Sequence, residues 1–234
     1  MIAVTFALPA ESSEFLKRLG NKSHADRNGV SMIRGKIGGR EIEILHTGVG
    51  EKVCRERLGK FLQDQQFELV ISTGFAGALT DDLHVGDLFL AKNFSTFDHR
   101  IEKRSFSIAS IHLANLLTVS TLIDSSDERR KIARESDAAA VDMETEFIAR
   151  VCVAHGVPLL SLRVITDTPR EPFPAPPRIL FDLAKQRTDL AKLGAFLLTH
   201  PNRVPQLFQF ARRIASVRKT LANALEEVVR NIET

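Results

Sequence analysis

The sequence predicts an α/β protein, a single three-layer α/β/α domain around a central mixed, mostly parallel sheet, with an extended helical C-terminus. Short apolar runs typical of buried strands alternate with helical patterns over roughly the first 168 residues. The chain of 234 residues is long enough for one domain with a large core. Its 44% of apolar residues and low net charge exclude a disordered chain.

The first half predicts strands joined by glycine- or proline-marked turns. Gly38 and Gly39 form a two-residue hairpin signal, so the runs on either side of them are expected to pair antiparallel. Pro9 opens a helical pattern, and a second helix follows the glycine turn at residues 48–50. The predicted strands cover residues 2–8, 30–37, 40–47, 69–73 and 87–94.

The second half continues the alternation and then becomes helical. Residues 95–113 are polar and predict a loop with some helix, and Asp142 is expected to cap a helix at 143–155. Further strands are predicted at 116–123, 138–141 and 159–165, with a helix at 127–134 between the first two.

Five of the nine prolines lie between Pro169 and Pro177 and predict a stiff loop. Helices are predicted at 179–198 and 204–232. This divides the chain into an α/β core at 1–177 and a C-terminal helical extension at 178–234, packed on the same domain.

Composition excludes several classes of function. The net charge of +3 comes from a basic excess in residues 178–234, and the chain has no Trp or Tyr, which disfavours nucleic-acid binding. No apolar run has the length of a membrane span or the features of a signal peptide, so we expect a cytoplasmic protein. Cys54 and Cys152 are expected as reduced core residues, and the histidines show no metal-binding spacing.

Three acidic residues follow predicted strands and are candidates for chemistry. Glu11, Glu144 and Asp167 should meet at one edge of the sheet, where three carboxyl groups suit cleavage of a glycosidic bond. Each also has a structural alternative: Glu11 and Glu144 in first helical turns, and Asp167 as a turn or cap residue. Arg163 lies inside an apolar strand and needs a buried partner.

Four sequence blocks, in order and spacing, resemble those of a known superfamily. They are residues 72–79 (STGFAGAL), 85–88 (VGDL), 141–144 (VDME) and 163–167 (RVITD). The superfamily is that of purine nucleoside phosphorylases and methylthioadenosine/S-adenosylhomocysteine nucleosidases, and the resemblance covers residues 1–168. It implies a central mixed sheet of partly barrel-like character and cleavage of the N-ribosyl bond of a nucleoside.

The resemblance also implies roles for single residues. Asp167 matches the acid that protonates N7 of the leaving purine, Glu144 the acid that holds the ribose hydroxyls, and Glu11 the carboxylate that activates water. Arg163 is expected to orient Glu144 or Glu11, and Met143 to pack against the sugar. No cofactor or metal is implied. The expected substrate-binding residues are Met143, Phe75, Ala76, Gly77, Val141, Arg163 and Gly48.

The main expectation is hydrolysis of a purine nucleoside, with adenine as the expected base and a modified 5′ position. A phosphorylase is the first alternative, disfavoured because residues 9–16 contain no Lys or Arg and Phe75 fills the glycine turn, although Arg34 or Arg40 could contribute. A silent nucleoside- or lipid-binding module is the second alternative.

The resemblance leaves the base open and bears on the partners. Residues 120–124 depart from the stretch that stacks on adenine in the small nucleosidases. The resemblance implies a homodimer. The C-terminal extension at 178–234, here called the tail, is basic and rich in aromatic residues. It predicts a helical hairpin packed on the domain. The alternative is contact with a membrane surface or a lipid-tailed substrate.

Overall fold

A computed structural model describes residues 1–96, 111–123, 125–174 and 190–232 of the chain. Ten strands in these residues join into one sheet. Their bounds are Ile2–Phe6 (β1), Gly20–Arg27 (β2), Val30–Ile37 (β3), Arg40–His46 (β4), Leu69–Ala78 (β5), Leu88–Ala91 (β6), Ile111–Ala114 (β7), Leu116–Thr118 (β8), Ala140–Asp142 (β9) and Leu159–Asp167 (β10).

The sheet is mixed, as predicted. Its main path runs β2-β3-β4-β1-β5-β10-β6-β7, and β9 joins β8 to the end of β5. The central strands β4, β1, β5 and β10 are parallel neighbours. Their carboxyl ends therefore lie at one edge of the sheet, where ligands of open α/β sheets bind.

The predicted hairpin at Gly38 and Gly39 is confirmed. β3 and β4 pair antiparallel around the two glycines, which have φ values of +57° and +85° and so adopt the left-handed turn that this connection needs. Two strands were not predicted. β2 is an edge strand exposed along most of its length, and β7 lies within the predicted loop at 95–113, of which residues 97–110 are outside the described residues.

Helices cover both faces of the sheet and confirm the three-layer architecture. One hydrophobic core joins β1 and β5 to α1 and α6, and a second joins the opposite faces of these strands to α2 and α4. The described helices are Pro9–Leu16 (α1), Glu51–Leu62 (α2), Ser126–Ser136 (α3), Thr145–Ala154 (α4), Leu190–Thr199 (α5) and Val204–Asn231 (α6).

The C-terminal helix packs on the sheet through its second half. Val217, Leu221, Leu225 and Val228 are buried in the same core as the strands, whereas Phe208 in the first half is exposed. The predicted boundary between residues 177 and 178 falls outside the described residues, so the division into core and extension stays a prediction. Among the helices that the structure describes, none combines the length and apolar character needed to cross a bilayer.

Candidate active site

The carboxyl ends of the central strands bring separate parts of the chain together. Glu11 follows β1, Gly48 follows β4, and Asp167 ends β10. The stretch from Gly74 to Gly77 lies inside β5, which continues to Ala78 rather than ending at residue 73 as predicted. β5 therefore lies between β1, which Glu11 follows, and β10, which ends at Asp167.

Glu11 lies in the first turn of α1 and rests against β5. Its Oε2 accepts the N–H of Leu8 at 3.0 Å, and its Oε1 accepts that of Phe75 at 3.4 Å. A Cβ at Gly74 would lie 3.2 Å from Oε1, so a glycine lets the carboxylate approach the strand. Burial raises the pKa of Glu11, opposed by the Leu8 N–H and the charge of Arg163.

Glu144 lies close enough to Glu11 to feel its charge because β9 runs antiparallel beside β5. The two strands pair antiparallel with Val141 opposite Gly77, so the chain after Val141 runs back along β5. Burial, then the charges of Asp142 and Glu11, raise the pKa of Glu144 well above its ordinary value. The charge of Glu11 therefore opposes the ionisation of Glu144.

A buried ion pair holds the start of α4. Asp142 accepts hydrogen bonds from Thr118 Oγ1 at 2.8 Å, from the backbone N–H of Thr145 at 3.2 Å and from the Thr145 hydroxyl. Arg163 donates to Asp142 Oδ2 at 3.1 Å, to Thr145 Oγ1 at 2.6 Å and to Ser72 Oγ at 2.7 Å. The guanidinium thus joins β10, β5 and α4.

Arg163 has a buried carboxylate partner, as expected, and this partner is Asp142. Its side-chain hydrogen bonds go to Asp142, Thr145 and Ser72 rather than to Glu144 or Glu11, and it influences those two acids only through its charge. Its side chain is 3% exposed and turned toward protein groups, so direct contact with substrate is not supported.

Asp167 lies beside Gly77 in the pairing of β10 with β5. A Cβ at Gly77 would come within 2.9 Å of Asp167 Oδ2, so the absence of a side chain makes room for the carboxyl group. Thr166 Oγ1 donates to Oδ1 at 2.7 Å, and Arg129 donates to Oδ2. Burial raises the pKa of Asp167, and the charge of Arg129 is the strongest opposing influence.

The other predicted substrate-binding residues lie along the same edge. Phe75 and Ala76 occupy β5 between the stretches that contact Glu11 and Asp167, and Val141 and Met143 lie on the antiparallel return beside them. Gly48, with a φ of +79°, follows β4 on the Glu11 side. Contact of these residues with a substrate stays a prediction.

The structural alternatives are realised only in part. Glu11 does cap the first turn of α1 by accepting the Leu8 N–H, but it also reaches β5. Glu144 makes no side-chain capping bond at α4, where Asp142 accepts the backbone N–H instead. The hydrogen bonds of Asp167 come from Arg129 and Thr166 rather than from a turn.

Two residues of the site escaped the sequence analysis. The sequence predicts Asp142 only as a helix cap and assigns no role to Arg129. A signal for Arg129 was present: it lies three and four residues before Ile132 and Ala133, on the apolar side of an otherwise polar helix. An arginine on such a face needs a buried acceptor.

The arrangement suits proton transfer at both ends of a bound molecule. Glu11 contacts Gly74 and Asp167 contacts Gly77, and three residues of strand separate these points by about 10 Å. A cavity of about 700 Å³ between α2 and α4 is lined by charged surface residues such as Lys52, Arg55 and Arg150, and contains none of these acids. No cluster of possible metal ligands occurs in the described ranges.

Comparisons with known proteins bear on the family and the fold. A family model described as the Phosphorylase superfamily matches residues 1–117 and 109–199. The 5′-methylthioadenosine/S-adenosylhomocysteine nucleosidase of Staphylococcus epidermidis is 23% identical, over 71% of this chain and 86% of the relative. The nucleosidase of the same name from Streptococcus pneumoniae, solved with a transition-state inhibitor, has a TM-score of 0.70 at 18% identity, with 99% coverage of both chains. Futalosine hydrolase of Helicobacter pylori has a TM-score of 0.70 at 17% identity, covering 99% of this chain and 97% of its own.

Proposed function

Because the chain belongs to the phosphorylase superfamily, we propose that it cleaves the N-ribosyl bond of a purine nucleoside by attack of water. The observation that carries this proposal is the placement of Glu11 and Asp167 against two glycines of the same strand, three residues apart. A nucleoside lying along this stretch would have a base activated at one end and water activated at the other.

The ionisation of the acids supports different roles for them. Glu11 accepts the N–H groups of Leu8 and Phe75, and these hydrogen bonds favour the ionised form that can take a proton from water. The two oxygens of Glu144 are suited to hydrogen bonding with the two ribose hydroxyls. Asp167, whose pKa is raised by burial, is suited to protonate N7 of the departing base.

Water is favoured over phosphate as the nucleophile. A phosphate dianion needs arginine or hydroxyl donors near the sugar, and both arginines considered for this lie elsewhere. Arg34 donates to Glu43 at 2.9 Å, and Arg40 begins β4 at the end of the strand opposite the site. Within the described residues of one subunit, neither reaches Glu11.

Adenine and a modified 5′ position are the finer parts of the proposal. The relatives named above are nucleosidases of 5′-methylthioadenosine and S-adenosylhomocysteine and a futalosine hydrolase. All three printed names denote hydrolytic enzymes, which supports hydrolysis here. We extend to this chain the adenosine substrates with sulfur-linked 5′ groups that the first two names specify.

Base release from a panel of nucleosides tests the proposal. Methylthioadenosine, S-adenosylhomocysteine, adenosine, inosine and a lipid-tailed adenosine are incubated with the protein, with and without phosphate, and free base is measured by chromatography. We expect adenine release that does not need phosphate. Strict dependence on phosphate would make the protein a phosphorylase, and binding without release would make it a binding module.

Variants of the acids show whether the site described here performs the cleavage. Asp167→Asn and Glu144→Gln should each abolish base release without loss of the fold. Glu146→Gln is the matched control, because Glu146 lies two residues from Glu144 but pairs with Arg150 at the surface. Equal activity of Asp167→Asn and the control would contradict the assignment.

The partners and compartment belong to the same proposal. We propose a homodimer in the cytoplasm, to be checked by analytical ultracentrifugation, and contact of the tail with a lipid surface or a lipid-tailed substrate. The tail supports lipid contact through its exposed apolar side chains Leu198, Val204 and Phe208, which lie in the same stretch of chain as Arg203 and Arg212.

A further inference from the structure

Arg129 is a rigidly held donor next to Asp167. Its side chain is 2% exposed. The guanidinium donates from Nε and Nη2 to the carbonyl oxygen of Ile123 at 3.1 and 2.6 Å, and from Nη1 to that of Ala78 at 2.9 Å. These two backbone carbonyls fix the plane of the guanidinium independently of its bond to Asp167 Oδ2.

The two oxygens of Asp167 therefore have different surroundings. Oδ2 faces a group that carries only donors, so a proton on Oδ2 would point at other protons. Oδ1 faces the hydroxyl of Thr166, which both donates and accepts. Thr166 Oγ1 also lies 3.3 Å from the carbonyl oxygen of Ala76, a second acceptor for its own proton.

We propose that Arg129 is a positioning residue that confines the transferable proton of Asp167 to Oδ1, and that the Thr166 hydroxyl turns to Ala76 when that proton is present. The inference rests on the proposed role of Asp167 as proton donor. With the proton on Oδ1, Thr166 becomes an acceptor there. When the base binds, Oδ1–H is the group free to donate.

The transfer then proceeds with a defined balance of charge. The Oδ1–H bond breaks and an N–H bond forms at the base, while the electrons of the glycosidic bond pass to the base. Water gives its hydroxide to the anomeric carbon and its proton to Glu11. Asp167 is left ionised, and the guanidinium of Arg129 stabilises the negative charge.

The charged neighbours of Asp167 give this pair a measurable signature. Arg129 on α3 lowers the pKa of Asp167, and Arg213 on α6 does so more weakly. On the β5 side the residue opposite is Gly77, which carries no charge. Removal of the Arg129 charge should therefore raise the pKa of Asp167 further.

The test compares Arg129→Met with Arg129→Lys. The titration of Asp167 is followed by NMR in protein labelled with carboxyl-¹³C aspartate, and its signal is assigned with Asp167→Asn. The methionine variant should titrate at higher pH than the wild type. The lysine variant should return toward the wild-type titration because it keeps the charge, but it should not recover full kcat because it lacks the planar fork.

A partly buried ion pair far from the site supplies the control. Arg27 donates to both oxygens of Glu43 at 2.9 and 2.7 Å, at the other end of the sheet. Arg27→Met should destabilise the fold without moving the Asp167 titration or the alkaline limb of the kcat/KM profile. The same limb should move to higher pH in Arg129→Met.

Thr166 variants test the proton position even if Arg129→Met does not fold. Thr166→Val removes the acceptor at Oδ1 at nearly constant volume and should lower kcat about 10-fold or more, since general-acid catalysis of this kind is worth up to 10²–10⁴-fold. Thr166→Ser should restore it. Equal kcat in the valine and serine variants would overturn the assignment of the proton to Oδ1.

The NMR titration does not depend on turnover, which separates the two proposals. Failure to cleave any nucleoside would refute the proposed function while the titration still reports on the pair. An Asp167 titration that is the same in Arg129→Met and the wild type would overturn the role of Arg129 even in an active enzyme.

Discussion

Arg163, in the middle of β10, donates to Asp142 Oδ2 at 3.1 Å, and the same carboxylate accepts the Thr145 N–H at the start of α4. Glu144 lies between Asp142 and Thr145 in the chain, at the N-cap of α4. Asp142 and Thr145, which flank Met143 and Glu144 in the chain, are therefore both held by Arg163. Arg163 positions an acid that it does not touch.

Replacement of Arg163 should cost both stability and activity. Arg163→Met leaves the buried Asp142 without its charged partner, and loss of one partner of such a pair costs about 3–5 kcal/mol of unfolding free energy. Urea denaturation measures this. Arg150→Met is the control, because Arg150 pairs with Glu146 at the surface and such pairs contribute about 0–1 kcal/mol. Equal losses in the two variants would contradict a buried pair.

Gly77 should tolerate no side chain. In Gly77→Ala the new Cβ would lie 2.9 Å from Asp167 Oδ2 and 3.2 Å from Arg129 Nη1, so the pair must move. A displacement of this size can lower the rate of base release about 100-fold. Gly59→Ala, in α2 where nothing lies within 4 Å, should leave activity unchanged and stabilise the helix by about 0.5–1 kcal/mol. Full activity of Gly77→Ala would refute the close packing at this position.

Glu144 should make the fold less stable as pH rises. Its folded-state pKa is raised well above the model-peptide value of 4.5, so the folded protein holds a proton that the unfolded chain releases. Its favourable contribution is complete below pH 4.5 and is lost as pH rises through the folded pKa. Glu144→Gln, which resembles the protonated acid, should therefore gain stability relative to the wild type between pH 5 and pH 8 in urea denaturation. A constant difference across this range would show that Glu144 does not titrate as described.

The proposed lipid contact predicts binding to anionic vesicles through the tail. Leu198 is 86% and Phe208 59% exposed, and the guanidinium of Arg212 lies over the Phe208 ring at 4.3 Å. The Leu198→Ser/Phe208→Ser double variant should lose co-sedimentation with phosphatidylserine vesicles. Val153→Ser, which changes an exposed valine on α4, should not. Wild-type protein that stays in solution with these vesicles would rule out the contact.

The parts of the fold that the sequence predicts are those in which burial leaves a periodic pattern. The paired glycines at 38 and 39 located the hairpin, and the repeated apolar residues of α6 located the last helix. β2 gave no such pattern because it is an exposed edge strand, whose stability comes from backbone pairing with β3. The prediction also ended β5 too early, because glycines inside a strand resemble a turn.

The residues of the candidate site were likewise predicted only in part. Glu11, Glu144 and Asp167 were found because each follows a strand, and a sheet with parallel central strands brings such positions together. The groups that set their ionisation were harder to find. Whether Arg129 or its neighbour Arg130 meets Asp167 depends on how α3 is rotated against the sheet, and the charges of that helix are alike in the sequence.

The spacing of Gly74 and Gly77 on β5 sets the spacing of the two acids that lie against them, Glu11 and Asp167. The acids at these two glycines are separated by a fixed number of backbone steps in a stretch of β5 that pairs with β10. Rearrangement of a surface segment would therefore change how a nucleoside enters. The distance between the acid that activates water and the acid that protonates the leaving base would stay constant. In such a protein, substrate preference would evolve by substitution of the residues that surround the substrate, while the spacing of the acids is kept.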